Sequence, residues 1–357
     1  MKVLSQEGQL SGTETTAENA TVVRIYNSAG DDRDVNILEF VYPNFNVIGT
    51  ISIPSGQVIY IQKKPEEYLT GSLTCYYTKI AYSPMMQYSS WIGGGTGGWN
   101  DIDTATYSQQ STWSIPDNPN GVYFKPDGTK VFYAQNESSN IHTIRQADLS
   151  TPWDLTTAGS VTYMTCYVAY PRAMDIHFKP DGTILYYSDW QNDHVVQLSL
   201  STPWDVTTSS LTGVLDIDSV TGEEYLRGLY ISPDGEKLFV HGFDNDKIAR
   251  FTLSTPWDIT TGSYHSQSAY ICQLPLGLYF KSDGTKVFST DNTNDVLKQW
   301  NLSTPWDITG VGSAADSLLD VSPQTDSPTG VYIPDNGKYI FVGDSQNVKI
   351  LRYLLNP

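Results

Sequence analysis

One segment recurs along this chain at a nearly constant interval. LSTPWDLTTAG begins at Leu149, LSTPWDVTTSS at Leu200, LSTPWDITTGS at Leu253 and LSTPWDITGVG at Leu302. The tryptophans of these segments, Trp153, Trp204, Trp257 and Trp306, lie 51, 53 and 49 residues apart. A second element precedes each one: GVYFKPDGTKVFY from Gly121, DIHFKPDGTILYY from Asp175, GLYISPDGEKLFV from Gly228 and GLYFKSDGTKVFS from Gly277. A fifth copy, GVYIPDNGKYIFV, starts at Gly330. A period of about fifty residues defines a repeat architecture, in which each unit buries its apolar face only by stacking on the next.

Each repeat reads as four strands. A short apolar run such as GLYF enters a PDG turn, where Pro presets one corner and Gly accepts a positive φ. A second strand follows, then a bend rich in Asn and Asp, then an alternating third strand such as KIARFTL. The STPWD loop leads into the fourth. Four antiparallel strands at this period, without helices, describe one blade of a β-propeller. Composition agrees, with 24 Tyr, 11 Phe and 9 Trp against only 17% charged residues. That mix suits twisted strands joined by polar turns.

The chain ends count the blades. The last repeat stops at LRYLLNP, where its STPWD loop would begin. The missing piece precedes the first repeat: GWNDIDTATYSQQSTWSIP, with Trp99 in the tryptophan slot. The expected fold is therefore all-β: a five-bladed propeller over 99–357, its last blade completed by a strand from the front. Closing the ring this way removes the open sheet edge.

The STPWD loop reads as a blade fastener. Its Ser and Thr bond nearby backbone, its Pro stiffens the corner, and its Trp buries a broad face against a neighbour. The functional alternative is a set of five equivalent aromatic pockets on Trp99, Trp153, Trp204, Trp257 and Trp306. Packing symmetry alone asks for identical residues in every blade, which favours the fastener.

Charge narrows the partners. The formal net charge is −18, and residues 1–90 hold 6 basic against 9 acidic residues, so most of the excess belongs to the repeats. Such a surface repels phosphate backbones and anionic headgroups, so neither nucleic acid nor membrane insertion is expected. The three cysteines, Cys75, Cys166 and Cys272, form no CxxC pair and read as small buried hydrophobes. The start MKVLSQEGQLSG lacks the apolar core of a signal peptide.

Ahead of the repeats, residues 1–19 are polar and read as a flexible arm. Residues 20–86 alternate at period two through ATVVRIYNS, DVNILEFVY, NVIGTISIPS, QVIYIQKKP and LTCYYTKIAYS, which fits a small β-sandwich. Residues 87–98 are rich in Gly and Ser and read as a linker.

The repeat resembles the PDGTKMFV…LSTPWDIS-type propeller repeats of marine tailed phages and some bacterial surface proteins. The front segment GTISIPSGQVIYIQKKPEEYLTG…YYTKIAYS is similar to a small N-terminal module of marine phage virion proteins. The resemblance implies a virion component, a capsid fibre or tail appendage, docked to other virion proteins through residues 20–86 and oligomeric in the particle. It would display the propeller outward, for attachment to host-surface polysaccharide or as decoration. A free-standing lectin-like module and a glycan-cleaving enzyme are the alternatives.

No catalytic constellation, cofactor site or metal site is expected. Glycoside hydrolysis needs two facing carboxylates, and only Asp175 is acidic among the residues opening the five repeats, with Glu223 and Glu224 in a loop nearby. Arg172 and Arg227 occupy loops of successive blades and could together hold a carboxylate, although pairing with Glu223 or Glu224 is the preferred reading. Asp291, in the DNTND bend, reads as an ordinary turn residue or part of the binding face. The five histidines have no metal-ligand spacing.

If the ring binds a ligand, the loops before each inner strand and the Asn/Asp bends should form the binding face. Both sets emerge on one side of a blade. They are also where the repeats diverge: DNPN at 117–120, YPRA at 170–173, YLR at 225–227, QLPL before Gly277 and DSPT at 326–329. The candidate binding residues are Tyr170, Arg172, Trp190, Tyr225, Arg227, His241, Phe243 and Asp291. Aromatic rings beside amides and carboxylates suit sugar hydroxyls and ring faces. Drift in unconstrained loops would give the same divergence.

Overall fold

The computed structural model describes seven strands within the first 80 residues, and residues 101–355 other than 114, 116–117, 137–141, 168–170, 223 and 336. Trp99, Tyr170, Glu223 and the expected linker at 87–98 lie outside the described residues. The chain divides into two compact units, Met1–Gly95 and Thr96–Pro357.

The first unit contains two antiparallel sheets. One has the spatial order Gly8–Gln9, Cys75–Ile80, Val22–Asn27, Val58–Gln62, and the other has Asn44–Ile53, Arg33–Val41, Glu67–Gly71. Gly8 and Gln9, inside the stretch expected to be an arm, lie opposite Tyr77 and Tyr76.

The second unit is a β-propeller of five four-stranded antiparallel blades. Blade 1 runs outward through Pro119–Phe124, Lys130–Asn136, His142–Leu149 and Ala158–Thr165. Blade 2 comprises Ala173–Phe178, Ile184–Asp189, His194–Leu200 and Ser209–Asp216. Blade 3 comprises Leu229–Ile231, Lys237–His241, Ile248–Leu253 and Gly262–Gln267. Blade 4 comprises Pro275–Phe280, Lys286–Asp291, Val296–Asn301 and Ser317–Asp320. Blade 5 takes Pro328–Tyr332, Tyr339–Asp344 and Lys349–Leu354 from the end of the chain and Thr106–Gln110 from before the first repeat.

The closure expected from the chain ends is present. Gln110, Gln109, Tyr107 and Thr106 pair with Leu351, Arg352, Tyr353 and Leu354. Ser111 extends the seam: its N–H donates to Ile350 O (2.8 Å), and its hydroxyl accepts from Ile350 N (3.1 Å).

Burial follows position in the blade. The inner strands of blades 1 and 2 are buried at every residue, whereas the outer strand Ser209–Asp216 is mostly exposed or half-buried. An inner strand has a neighbouring blade on each face, so its run is continuously apolar rather than alternating.

The same inner-strand position supplies one aromatic ring per blade: Tyr123, His177, Tyr230, Tyr279 and Tyr332. Successive centroids around the axis lie 5.4, 4.8, 5.4, 5.4 and 5.0 Å apart, all edge to face, and the last contact returns to Tyr123. Edge-to-face geometry sets the positive rim of one ring on the negative face of the next, so five rings satisfy one another in a closed cycle. Two residues earlier, backbones touch directly. A Cβ on Gly121 would lie 2.5 Å from Asp175 Cα, and one on Gly330 would lie 2.6 Å from Gly121 Cα.

The STPWD loops bind blade to blade. Trp204 adopts φ +63, and its N–H donates to Gly182 O at 3.0 Å. Gly182, in the PDG turn, has φ +73, and a Cβ there would lie 2.4 Å from the Trp204 ring. That ring stacks on Phe178 of its own blade (5.3 Å) and reaches Phe132 of blade 1 (6.1 Å). Trp153 lies likewise against Phe124 and Phe341, and Trp306 against Phe280 and Phe239. Trp257 takes the same place over Gly235, and its carbonyl accepts from Tyr186 Oη of blade 2 at 2.6 Å.

The expectation of a helix-free repeat needs correction. The residues after the loop Asp form a 3₁₀ turn in three of the four loops, at Leu155–Thr157, Val206–Thr208 and Ile259–Thr261, and an α-helical turn covers Asp218–Thr221. Asp205 caps its turn by accepting from Thr207 N (3.0 Å) and Thr207 Oγ1 (2.7 Å). A glutamine of the preceding blade then clamps the cap. Gln146 Nε2 donates to Asp205 Oδ1 (3.0 Å) while its Oε1 accepts from Val206 N (2.9 Å). Gln109 does the same at Asp154 and Leu155, and Gln197 Oε1 accepts from Ile259 N. Cys166 and Cys272 are free and buried.

Candidate functional site

The loops before the inner strands meet the Asn/Asp bends on one face of the ring. Trp190 N–H donates to Arg172 O (2.9 Å), Phe243 N–H to Glu224 O (3.2 Å), Asn292 N–H to Leu274 O (3.1 Å) and Ser345 N–H to Ser327 O (3.2 Å). The frame beneath is the same in each blade. A residue at or one before the end of the second strand is fully buried and polar: Gln135, Asp189, His241, Asp291 or Asp344. Asp291 accepts from Thr293 N, Asn294 N and Asn294 Nδ2 and pairs with Lys298 Nζ at 3.0 Å. Asp189 serves blade 2, accepting from Arg172 N (2.8 Å), Gln191 N (3.0 Å) and Asn192 Nδ2 (2.7 Å).

Two of the candidate binding residues belong to this frame. Asp291 turns inward to hold its own bend. His241 takes the equivalent place in blade 3, where Nδ1 accepts from Gly228 N (3.3 Å) and Nε2 faces Gly277 O (3.3 Å). Burial lowers the His241 pKa to about 4, so the ring is neutral with its proton on Nε2.

Five others come together where blades 2 and 3 meet. Trp190 occupies the bend position held by Asn292 and Ser345 in blades 4 and 5. Its ring lies beneath two guanidinium groups, with Arg172 Cζ 4.6 Å and Arg227 Cζ 5.6 Å from the centroid. Tyr225 stands against the same ring (4.8 Å, 36°), and Phe243 against Tyr225 (6.3 Å, 71°). Tyr225 and Phe243 are exposed, at 36% and 43%. Tyr225 has φ +58, a sparsely populated conformation for a bulky residue. Asp193 steadies that turn by accepting from Leu226 N at 3.2 Å. Sequence reasoning did not single out Asp193, although an Asp recurs at that place in the bends, as Asp246 and Asp295.

Of the two carboxylates preferred from sequence as partners of these arginines, Glu224 pairs with neither, and Glu223 lies outside the described residues. Among the described residues neither Arg172 nor Arg227 makes an ion pair. Glu224 instead receives Phe243 N–H at its backbone carbonyl. Arg227 Nη1 lies 4.0 Å from Met174 Sδ, and both Arg227 Nε and Trp190 Nε1 are buried without a hydrogen-bond partner. Burial, then the nearby Arg172 charge, lowers the Arg227 pKa to about 10, so it remains a cation. The physical reason is local. Blade 3 has neutral His241 where three other blades have an aspartate, and Asp189 is committed to backbone N–H groups and Asn192.

The acidic residue expected nearest the axis is a structural group. Asp175 is 2% exposed. Its Oδ1 accepts from Ile176 N (2.9 Å) and its Oδ2 from Leu229 N of blade 3 (3.1 Å). Burial outweighs these donors and pushes its pKa up to about 8. His177 beside it is buried, with its pKa lowered to about 3. Among the described residues no group of three or more His, Cys, Asp or Glu is arranged to hold a metal.

No family model matches the chain, and no curated protein matches it. Similar solved structures include a functionally unknown protein from Desulfotomaculum acetoxidans DSM 771, 14% identical with a TM-score of 0.39, in which the match covers 64% of each chain. A candidate 6-phosphogluconolactonase from Bacteroides uniformis ATCC 8492 is 14% identical over 70% of each chain, with a TM-score of 0.42. A chain of a nidogen/laminin complex is 18% identical over 68% of this chain and 78% of its own, with a TM-score of 0.42. None of these likenesses bears on chemistry. The second unit of the chain is a five-bladed β-propeller by its own strand order.

Proposed function

We propose that this chain is a non-enzymatic virion protein of a tailed phage. Residues 20–86 dock it to other particle proteins, and the propeller is displayed for attachment to a host-surface polysaccharide. The virion assignment is supported by the resemblance of the repeat and front segments. The attachment reading is carried by one observation: an aromatic and arginine cluster, Arg172, Trp190, Tyr225, Arg227 and Phe243, on the loop rim of an otherwise repeated frame. Divergent loops on a constant scaffold are where recognition resides. The absence of turnover in this proposal is supported by Asp175, whose carboxylate is buried and occupied by backbone N–H groups rather than open to a glycosidic bond.

Two arms test the proposal. The intact chain, screened against host polysaccharides, binds at least one of them, and substitution of Tyr225 by Ala weakens binding about tenfold. Removal of residues 1–86 from the phage gene abolishes incorporation into particles. Normal incorporation of the shortened protein overturns the docking role, and no binding to any host polysaccharide overturns attachment.

A further inference from the structure

Building on the attachment reading, we infer that the rim between blades 2 and 3 recognises a sugar carboxylate, with Arg172 and Arg227 as its two positive jaws and Trp190, Tyr225 and Phe243 as the platform for the pyranose ring. Four observations converge on this site. Two guanidinium groups approach one indole ring, at 4.6 and 5.6 Å from its centroid. Neither has a carboxylate partner among the described residues, on a chain whose net charge is −18. Elsewhere on this propeller Lys125, Lys179, Lys237, Lys281, Lys286 and Lys298 each sit within 3.0 Å of an aspartate oxygen, and Arg250 and Arg352 donate to the Trp306 and Trp153 carbonyls. Arg227 is half-buried with Nε unbonded, and Trp190 Nε1 is buried and unbonded beside it.

Two like charges held together in a partly desolvated place disfavour each other, and an incoming anion relieves both. A carboxylate suits two guanidinium forks because each of its oxygens accepts paired N–H donors. The ring that carries the carboxylate then lies along the exposed faces of Tyr225 and Phe243. A guanidinium held over an aromatic ring keeps N–H groups available for a ligand.

The charge of the whole chain narrows the ligand further. A densely charged polymer would be repelled by the acidic surface over about a Debye length, ~8 Å at physiological salt. Asp193 and Glu224 lie beside Tyr225, which adds local repulsion toward any second negative group. The ligand is therefore a glycan with isolated carboxylates spaced by neutral sugars, such as a uronate or a nonulosonate in an otherwise neutral repeat. It is not a run of adjacent acids or sulfates.

Calorimetric titration of the intact chain tests this with four probes. The first is a tetrasaccharide with one uronate per disaccharide, and the second is the same tetrasaccharide with its carboxyls reduced to alcohols. The third is its sulfated counterpart, and the fourth is sialyllactose beside lactose. The inference expects the uronate or the sialyl probe to bind, the carboxyl-reduced or neutral partner to bind at least about tenfold more weakly, and Arg227→Gln to remove most of that difference. Arg172→Gln, at a half-exposed residue, repeats the measurement in case Arg227→Gln perturbs folding, with the thermal melt of each variant as the control. Equal binding of the acidic and carboxyl-reduced sugars overturns the inference and leaves attachment standing. Preference for the sulfated probe overturns the carboxylate assignment. Binding of neutral host glycans alone overturns the inference, and binding of none overturns the attachment reading with it.

Discussion

Asp175 is the residue at which sequence and structure part most informatively. Four of the five repeats open on Gly at this place, because neighbouring inner strands touch backbone to backbone. The one acid was weighed from sequence as half of a carboxylate pair with Glu223 or Glu224, yet it is buried and held by backbone N–H groups. Its folded pKa is raised to about 8 from a usual value of 3.8. The sign follows from proton linkage. Between those values the native state binds a proton that the unfolded chain has released, so the contribution of Asp175 to stability is full below about pH 4 and lost as pH rises through about 8. Asp175→Asn cannot lose that proton. The melting temperature of the variant minus that of the wild type should therefore increase steadily from pH 4 to pH 8 in paired thermal scans. A difference that stays constant with pH would show that Asp175 titrates normally. Arg172 and Arg227 teach the reverse lesson. Their approach was readable from equivalent loops, but their lack of a counter-ion among the described residues was not, because His241 stands where three other blades have an aspartate.

Strands were legible because their signals are local: PDG turns, apolar runs and the period of about fifty residues. The clamp that joins blades was not. Gln109, Gln146 and Gln197 stand in strands where a glutamine reads as an ordinary surface residue, and their partners lie about fifty residues away. The 3₁₀ turns escaped for a related reason. Three residues capped by one Asp carry too little periodicity to be read. Gln146→Ala removes the donor to Asp205 and leaves Val206 N–H, buried between blades, without an acceptor. Leaving a buried donor unsatisfied costs about 1–3 kcal/mol. Urea unfolding of the variant should show stability lower by that amount, read as a midpoint lowered by that free energy divided by the slope, with the slope unchanged because the surface exposed on unfolding is the same. An unchanged midpoint would remove the clamp from the account. The tryptophan of the STPWD loop belongs to this scale as well. Each one described packs on the glycine of its own blade's DG turn and, by ring or carbonyl, on the preceding blade, which is a fastener's position.

At the scale of the whole molecule, five blades close because the two ends of the propeller segment share a sheet. The sequence showed this as a missing piece at one end and a spare piece at the other. The aromatic cycle at the axis, which could be read as one Tyr or His per repeat, returns to its starting ring only if the count is five. With four blades from consecutive chain and the fifth from both ends, the seam at Thr106–Gln110 and Lys349–Leu354 is where the account is most exposed. Hydrogen exchange of the intact chain, followed by mass spectrometry on peptides spanning these two segments, measures it directly. The account predicts that the amides of 106–111 that donate to 349–354, Ser111 N–H among them, exchange as slowly as the amides of 349–354, while the alternate amides of this edge strand exchange freely. Rapid exchange across 106–111 beside a protected 349–354 would mean that the strand is unpaired and the ring is not closed in this way.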